Sequence, residues 1–194
     1  SAVAPRNDAL SLLALRHPRN DDLSRPCPTH PPSPSTRDPH THESPASMKK
    51  IGFLSFGHWS PSPHSGTRSA QDTLLQSIDL AVAAEELGAD GAYFRVHHFA
   101  RQLASPFPLL AAVGARTSKI EIGTGVIDMR YENPLYMAED AGSADLISRG
   151  RLQLGISRGS PEQVIEGWRY FGYQPEEGQS DADMGRRHAE VFLE

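Results

Sequence analysis

The first 47 residues contain no glycine, phenylalanine, tyrosine or tryptophan; all sixteen glycines and all fourteen aromatics (seven Phe, five Tyr, two Trp) follow Met48, whereas nine of the sixteen prolines precede it. A segment without large hydrophobes cannot offset the entropy of ordering its backbone, so 1–47 is expected to be a disordered Pro-rich leader. Its acidic residues Asp8, Asp21, Asp22, Asp38 and Glu43 argue against a transit peptide, and Ala9–Leu15 is barely long enough for a secretory apolar core. Met48 is expected to be the natural start. The single cysteine, Cys27, excludes an intrachain disulfide framework and a Cys-based zinc site, and fits a reducing cytoplasm. No basic block breaks the net charge of −5, so a nucleic-acid face is not expected. No apolar run approaches the roughly 18 residues of a membrane span.

From Met48 onward, strand-like and helix-like stretches alternate. Ile51–Phe56 is a short apolar run stopped by Gly57. Ala70–Leu87 carries Leu74, Ile78, Ala81, Ala84 and Leu87 at helical spacing, with Gly88 where a terminating glycine belongs. Ala92–His97 reads as the next strand, and Ser105-Pro106 opens a helix to about Arg116. Ile120–Ile127 is a third strand, followed from Asn133-Pro134 by a helix to Ile147, and Arg151–Ser157 is a fourth strand after the cap at Gly150. Ser160-Pro161, with Gln163 completing a capping box, opens one more helical stretch. Proline suits the first helical position because its missing N–H has no partner there anyway. Such alternation means parallel βαβ units, in either an open doubly wound sheet or an arc of a barrel. Both place functional residues at the carboxyl ends of the strands.

Those ends hold His97-His98, Gly123-Thr124-Gly125-Val126 and Gly155-Ile156-Ser157-Arg158-Gly159. Gly123 and Gly125 lack the third glycine of a dinucleotide fingerprint, Asp128 standing in its place. His97 and His98 face opposite ways along a strand, so a metal site with His58 or His64 is disfavoured and none is expected. Gly155–Gly159 spells a serine nucleophile elbow, with Asp181 or Asp183 and then His188 following in hydrolase order. No HGG-like loop offers an oxyanion hole, which leaves a serine esterase as a minor alternative.

Taken together, the run from Lys49 to about Gly172 resembles the bacterial luciferase-like flavin-dependent monooxygenases. The resemblance rests on Leu87-Gly88-Ala89-Asp90-Gly91, His97-His98-Phe99, Ala115-Arg116-Thr117-Ser118-Lys119-Ile120, Gly123-Thr124-Gly125-Val126, Asn133-Pro134 with Ala138-Glu139-Asp140, Ser148–Leu152 and Leu154–Gly159, in the family's order. It implies a (β/α)8 TIM-barrel type of fold. As about 147 residues follow the leader and a whole barrel takes about 250, residues 48–194 are expected to be its N-terminal half, truncated to about the first four βα units. The resemblance also implies reduced FMN across the mouth of the barrel, or a deazaflavin coenzyme in some relatives. O₂ and a small organic substrate, an alkanal among the candidates, would be its reactants. A flavin reductase is the implied partner, with a homo- or heterodimeric assembly compatible with the family.

By residue, it implies that His97 is catalytic, exchanging protons at the flavin near neutrality; read by itself, His97 is rather a structural histidine bonded to backbone. Thr124, Gly125 and Val126 match a flavin-contacting segment in which the Gly125–Val126 peptide is often cis, and Arg158 matches a flavin-contacting arginine. Read alone, Gly125 is a close-packing glycine and Arg158 a solvated surface residue. Two departures stand out: Val96 occupies the place where the family commonly has an acid before the histidine pair, and Arg95 shares a face with His97, a bulky charge inside a barrel. The same fold also serves non-catalytic flavoproteins and partner subunits, the second reading kept open.

Overall fold

The structure is a computed structural model and describes residues 49–159 and 164–194. The expected leader, Met48 and the helix start at Ser160-Pro161 with Gln163 lie outside the described residues.

Four parallel strand tracks run side by side. Strand β1 (Gly52–Ser55) is followed by helix α1 (Ala70–Glu86), β2 (Gly91–Phe94), α2 (Pro106–Arg116) and β3 (Glu121–Thr124). Then come β4 (Ile127–Asp128), a short 3-10 turn at Met129–Tyr131, α3 (Pro134–Ser148), β5 (Leu152–Gln153) and β6 (Ile156–Ser157). A second 3-10 turn (Gly167–Phe171) and α4 (Asp181–Leu193) complete the described chain. The sheet order is β1-β2-β3-β5, and β4 pairs with β6 to extend the last two tracks. Neighbours in space are therefore neighbours in sequence. A doubly wound sheet reverses its strand order partway across, so the βαβ units form an arc of a barrel.

The two single runs expected at Ile120–Ile127 and Arg151–Ser157 are each broken in two. Gly125–Val126 is a cis peptide and interrupts the third track between Thr124 and Ile127. Across the gap, the Thr124 hydroxyl donates to the Gly155 carbonyl (3.0 Å) and accepts from its N–H (3.1 Å), replacing the missing ladder bonds. The second strand, expected to reach His97, ends its regular pairing at Phe94.

Helices cover one face of the sheet. Ala81 of α1 and Leu109, Leu110 and Val113 of α2 bury against Ala92, Phe94 and Ile122. A second cluster joins Ile127, Met129, Met137, Ala141 and Ala144 beneath α3. Helix α1 follows the middle of the apolar stripe expected for it, Ile78, Ala81 and Ala84 packing on the core, but departs from it at both ends. Its buried line is Thr73, Ser77 and Ala81, while Leu74 and Leu87 are exposed. Small residues let the helix approach closely, and the buried hydroxyls are satisfied locally: Ser77 donates to the Thr73 carbonyl and Thr73 to the His58 carbonyl.

The turn from α2 into β3 is clamped from both sides. The Glu85 carboxylate, at the end of α1, accepts from the N–H groups of Ser118, Lys119 and Ile120 (2.6–2.9 Å). The Arg151 guanidinium donates to the carbonyls of Ser148, Ile120, Gly114 and Thr117 and to the Thr117 hydroxyl, all within 2.7–2.9 Å. It thereby ties the ends of α2 and α3 to the start of β3. Burial tends to raise the Glu85 pKa, but the donors from Ile120, Lys119 and Ser118 outweigh it and hold the group at about 2. Arg151→Met should lower unfolding free energy by about 2–3 kcal/mol, because it strands several carbonyls at once; Arg151→Lys should recover only part of that, and urea denaturation measures both. Since the folded-state pKa of Glu85 is depressed, its contribution is present above the unfolded value and disappears as pH falls towards about 2. Glu85→Gln should flatten that part of the acid-stability profile.

Candidate functional site

The uncovered face of the sheet carries the residues that alternate with the core. Leu54, Tyr93, Gly123 and Gln153 lie in register across four strands. A Cβ on Gly91 or Gly123 would come within 2.6–2.9 Å of the Tyr93 ring, so both glycines are needed for that ring to lie along the sheet. A Cβ on Gly125 would meet Leu54 at 2.9 Å. Leu54, Tyr93 and Gly125 border a shallow, largely apolar hollow of about 350 Å³. Two larger hollows, of about 560 and 580 Å³, lie around Trp168 and along α4 and contain none of the strand-end residues.

The carboxyl ends of the first three tracks converge. The ladder extends past β2 through Arg95 N–H to the Ser55 carbonyl (2.8 Å) and Gly125 N–H to the Phe94 carbonyl (2.9 Å). This puts Arg95, His97 and Gly125 together. Arg95 Nε donates to His97 Nε2 at 3.2 Å, and its Nη1 donates to the Gly125 carbonyl, in the cis peptide, at 3.3 Å. The guanidinium lies 5.4 Å from the Phe56 ring centre, and that ring stacks on His58. Gln102 Nε2 and His58 Nε2 are 2.9 Å apart. The backbone of His97 donates to the Leu103 carbonyl at 2.9 Å, pinning the loop that carries Gln102. Burial lowers the His97 pKa, and the Arg95 charge beside it lowers it further.

His98 faces the other way. Its ring stacks on Tyr131 at 4.6 Å and meets the edge of Phe171 at 4.9 Å. Burial lowers its pKa against the opposing pull of Asp128. The alternation expected for the histidine pair is therefore real, and the two serve different environments. Among the described residues no group of three or more His, Cys, Asp or Glu is placed to hold a metal ion, and no helix is long and apolar enough to cross a membrane.

The remaining sequence candidates are dispersed. The Thr124 hydroxyl is engaged on both sides by Gly155. Val126 is half-buried, and its side chain stands over Gly155, where a Cβ would meet Val126 Cγ1 at 3.0 Å. Arg158 is exposed, its carbonyl packed against Gly185 and its charge felt by Asp183 on α4. The serine-elbow reading loses its partners: Ser157 Oγ donates to the Ile127 carbonyl at 3.3 Å and His188 Nδ1 bonds the Met129 carbonyl at 2.8 Å. Asp181 pairs with Arg130, and Asp183 forms a capping box with Ser180. His188 and Asp181 thus tie α4 to the 3-10 turn after β4, Ser157 bonds across the β4–β6 pair, and no triad forms.

Two groups were not singled out from the sequence. Arg130, almost fully buried, is bidentate to Asp128 (2.7–3.2 Å) and also reaches Asp181. Only the fold brings Asp181 to it, from 51 positions away. Glu132 follows the 3-10 turn, and burial, with Asp140 and Asp128 adding repulsion, pushes its pKa up to about 7. A raised carboxyl stabilises the fold fully below its unfolded pKa and loses that contribution as pH rises through about 7. Glu132→Gln should therefore raise the melting temperature at pH above about 7 with little change near pH 4. Parallel thermal melts of both proteins test this; an equal shift at both pH values would contradict it.

Residues 54–190 match the model of the luciferase-like monooxygenase family. The chain is 30% identical over 136 residues to an alkanal monooxygenase alpha chain of Photobacterium leiognathi, covering 69% of this chain and 36% of that one. It is 28% identical over 144 residues to a limonene 1,2-monooxygenase of Rhodococcus erythropolis, covering 73% of this chain and 35% of that one. Among solved structures it is similar to the oxygenating constituent of the 3,6-diketocamphane monooxygenase from the CAM plasmid of Pseudomonas putida, solved with FMN (TM-score 0.62, 23% identity, 74% of this chain and 38% of that one). The chain spans between 26% and 40% of the length of these and other curated relatives. The chain belongs to the luciferase-like monooxygenase family, and the barrel arc is that family's fold.

Proposed function

We propose that the protein carrying this chain is a flavin-dependent monooxygenase that uses reduced FMN, delivered by a flavin reductase, and O₂ to oxygenate a small organic substrate. The observation that carries this reading is the meeting of Arg95, His97 and Gly125 at one end of a barrel-type sheet, beside an apolar hollow edged by Leu54 and Tyr93. The hollow's apolar lining suits a flat aromatic ring system. Gly125, with no side chain to stand between the ring and the sheet, allows close approach, and the Arg95 guanidinium offers a cation to the electron-rich side of a reduced flavin. Thr124 and Val126 would contribute their positions beside Gly125, and Arg158, exposed at the end of β6, would meet the cofactor's phosphate.

Bound reduced flavin supplies the electrons that activate O₂. What the chain supplies is positioning, exclusion of water by Leu54, Phe56 and Tyr93, and a proton carrier at His97. Its depressed pKa leaves the ring mainly neutral near pH 7, suited to taking up a proton first.

Oxygen uptake by the protein, with FMN, NADH, a flavin reductase and a panel of small aldehydes, ketones and alkenes, tests the reading. Substrate-dependent uptake with incorporation of labelled oxygen is expected. His97→Ala should reduce turnover by about 10²–10⁴-fold while leaving flavin affinity within a few-fold. Uptake that stays equal to free reduced flavin for every substrate would favour the second reading, a non-catalytic flavoprotein or partner subunit of the same fold. That reading draws on the absence of an acid at Val96.

A further inference from the structure

We infer that Arg95 is a positioning residue for His97: it heads a one-way hydrogen-bond chain, Arg95 to His97 to Gln102 to His58, that holds the His97 ring with its single proton on Nδ1. An arginine can only donate. Because Arg95 Nε donates to His97 Nε2 at 3.2 Å, that nitrogen carries no hydrogen, and the neutral ring must keep its proton on Nδ1. His97 Nδ1 is buried and has no other partner among the described residues. The Gln102 carbonyl oxygen is equally buried and equally unpartnered, and the Gln102 side chain favours the charged form of His97, as an acceptor would. The structure leaves both atoms without a partner at hydrogen-bond distance, and the inferred chain pairs them with each other. That assignment points the Gln102 amide nitrogen at His58 Nε2, 2.9 Å away, which must accept. His58 then holds its own proton on Nδ1. Each choice forces the next, and none can be reversed while an arginine stands at the head.

The second anchor of Arg95 is the Gly125 carbonyl, and the face of Phe56 supports its guanidinium. The orientation of His97 is thus tied to the third strand track. The charged or titratable groups acting on His97 are Arg95, two positions before it, and His58 from the loop after β1. Protonating Nε2 would set two cations against each other and break the Arg95 bond. Proton uptake at His97 therefore requires Arg95 to turn away, and an anion arriving at the guanidinium is what would draw it off. The cofactor is the natural candidate for that anion; this last link rests on the flavin reading, whereas the tautomer and the titration do not.

Heteronuclear NMR of the imidazole nitrogens in the full chain tests the chain of bonds directly. The expected native result is His97 with Nδ1 protonated and Nε2 bare, titrating below an ordinary histidine. In Arg95→Met the ring should populate both tautomers and its proton affinity should rise about tenfold, roughly one pH unit. Arg95→Lys should keep much of the depressed titration and lose the fixed tautomer, because an ammonium lacks the planar fork. Gln102→Leu, which leaves Arg95 in place, should keep Nε2 bare and lower the His97 proton affinity further by removing its acceptor. A native His97 protonated on Nε2, or a tautomer and titration unchanged in Arg95→Met, would overturn the inference. The native spectrum alone can do so, so the test survives a variant that fails to fold. Either outcome is independent of whether oxygen uptake supports the flavin reading.

Discussion

The clamp around residues 117–120 is the constraint on which the rest of the arrangement depends. A chain leaving α2 and entering β3 exposes a row of N–H groups on one side and carbonyls on the other. Glu85 takes the N–H groups and Arg151 takes the carbonyls. One ionic group comes from the end of α1 and the other from just before β5, so the bonds also fix the spacing of neighbouring βα units. An acid alone would leave the carbonyls unpaired, and a base alone the amides; complementarity satisfies both sides of a turn whose ends, Thr117 and Ile120, are buried.

With the amino ends of the strands held in this way, the carboxyl ends are free to carry chemistry. The sheet divides its residues by alternation. Ala92, Phe94 and Ile122 anchor helices, while Tyr93, Arg95 and Gly125 are left on the open side. The cis peptide at Gly125–Val126 and the Thr124 bridge to Gly155 interrupt the third track at that end. Ladder carbonyls are consumed by neighbouring strands, but the Gly125 carbonyl is available to Arg95.

Arg95 sets the electrostatics of this end of the sheet. A carboxylate just ahead of the histidine pair would favour an imidazolium; a guanidinium two positions ahead of His97 favours neutral imidazole. Burial depresses the histidine first and this cation adds to it, and the same cation suits an anionic ligand. Proton affinity at His97 and ligand charge are thereby linked through one side chain.

Much of the fold was legible in the sequence because it rests on local signals. The proline-initiated helices at Pro106 and Pro134, the strands led by Phe53, Ala92 and Ile122, and the two-way split of His97 and His98 follow from period, capping and pleat. The stripe of α1 holds at Ile78, Ala81 and Ala84 but not at Leu74 and Leu87, because Thr73 and Ser77 are polar by type and only contact with the loop at His58 and with their own helix makes them buriable. The serine-elbow motif has the right spelling, yet Ser157 and His188 each meet a backbone carbonyl, which spacing cannot reveal. Sequence by itself determined the βα rhythm and the family, since those depend on neighbours a few residues apart. Periodicity left an open sheet and a barrel arc equally possible, and the tertiary structure decided between them by strand order; it alone decided that Arg130 pairs with Asp181 and that Arg95, His97 and Gly125 converge. Strand order and side-chain hydrogen bonds join residues distant along the chain, and no local preference encodes them.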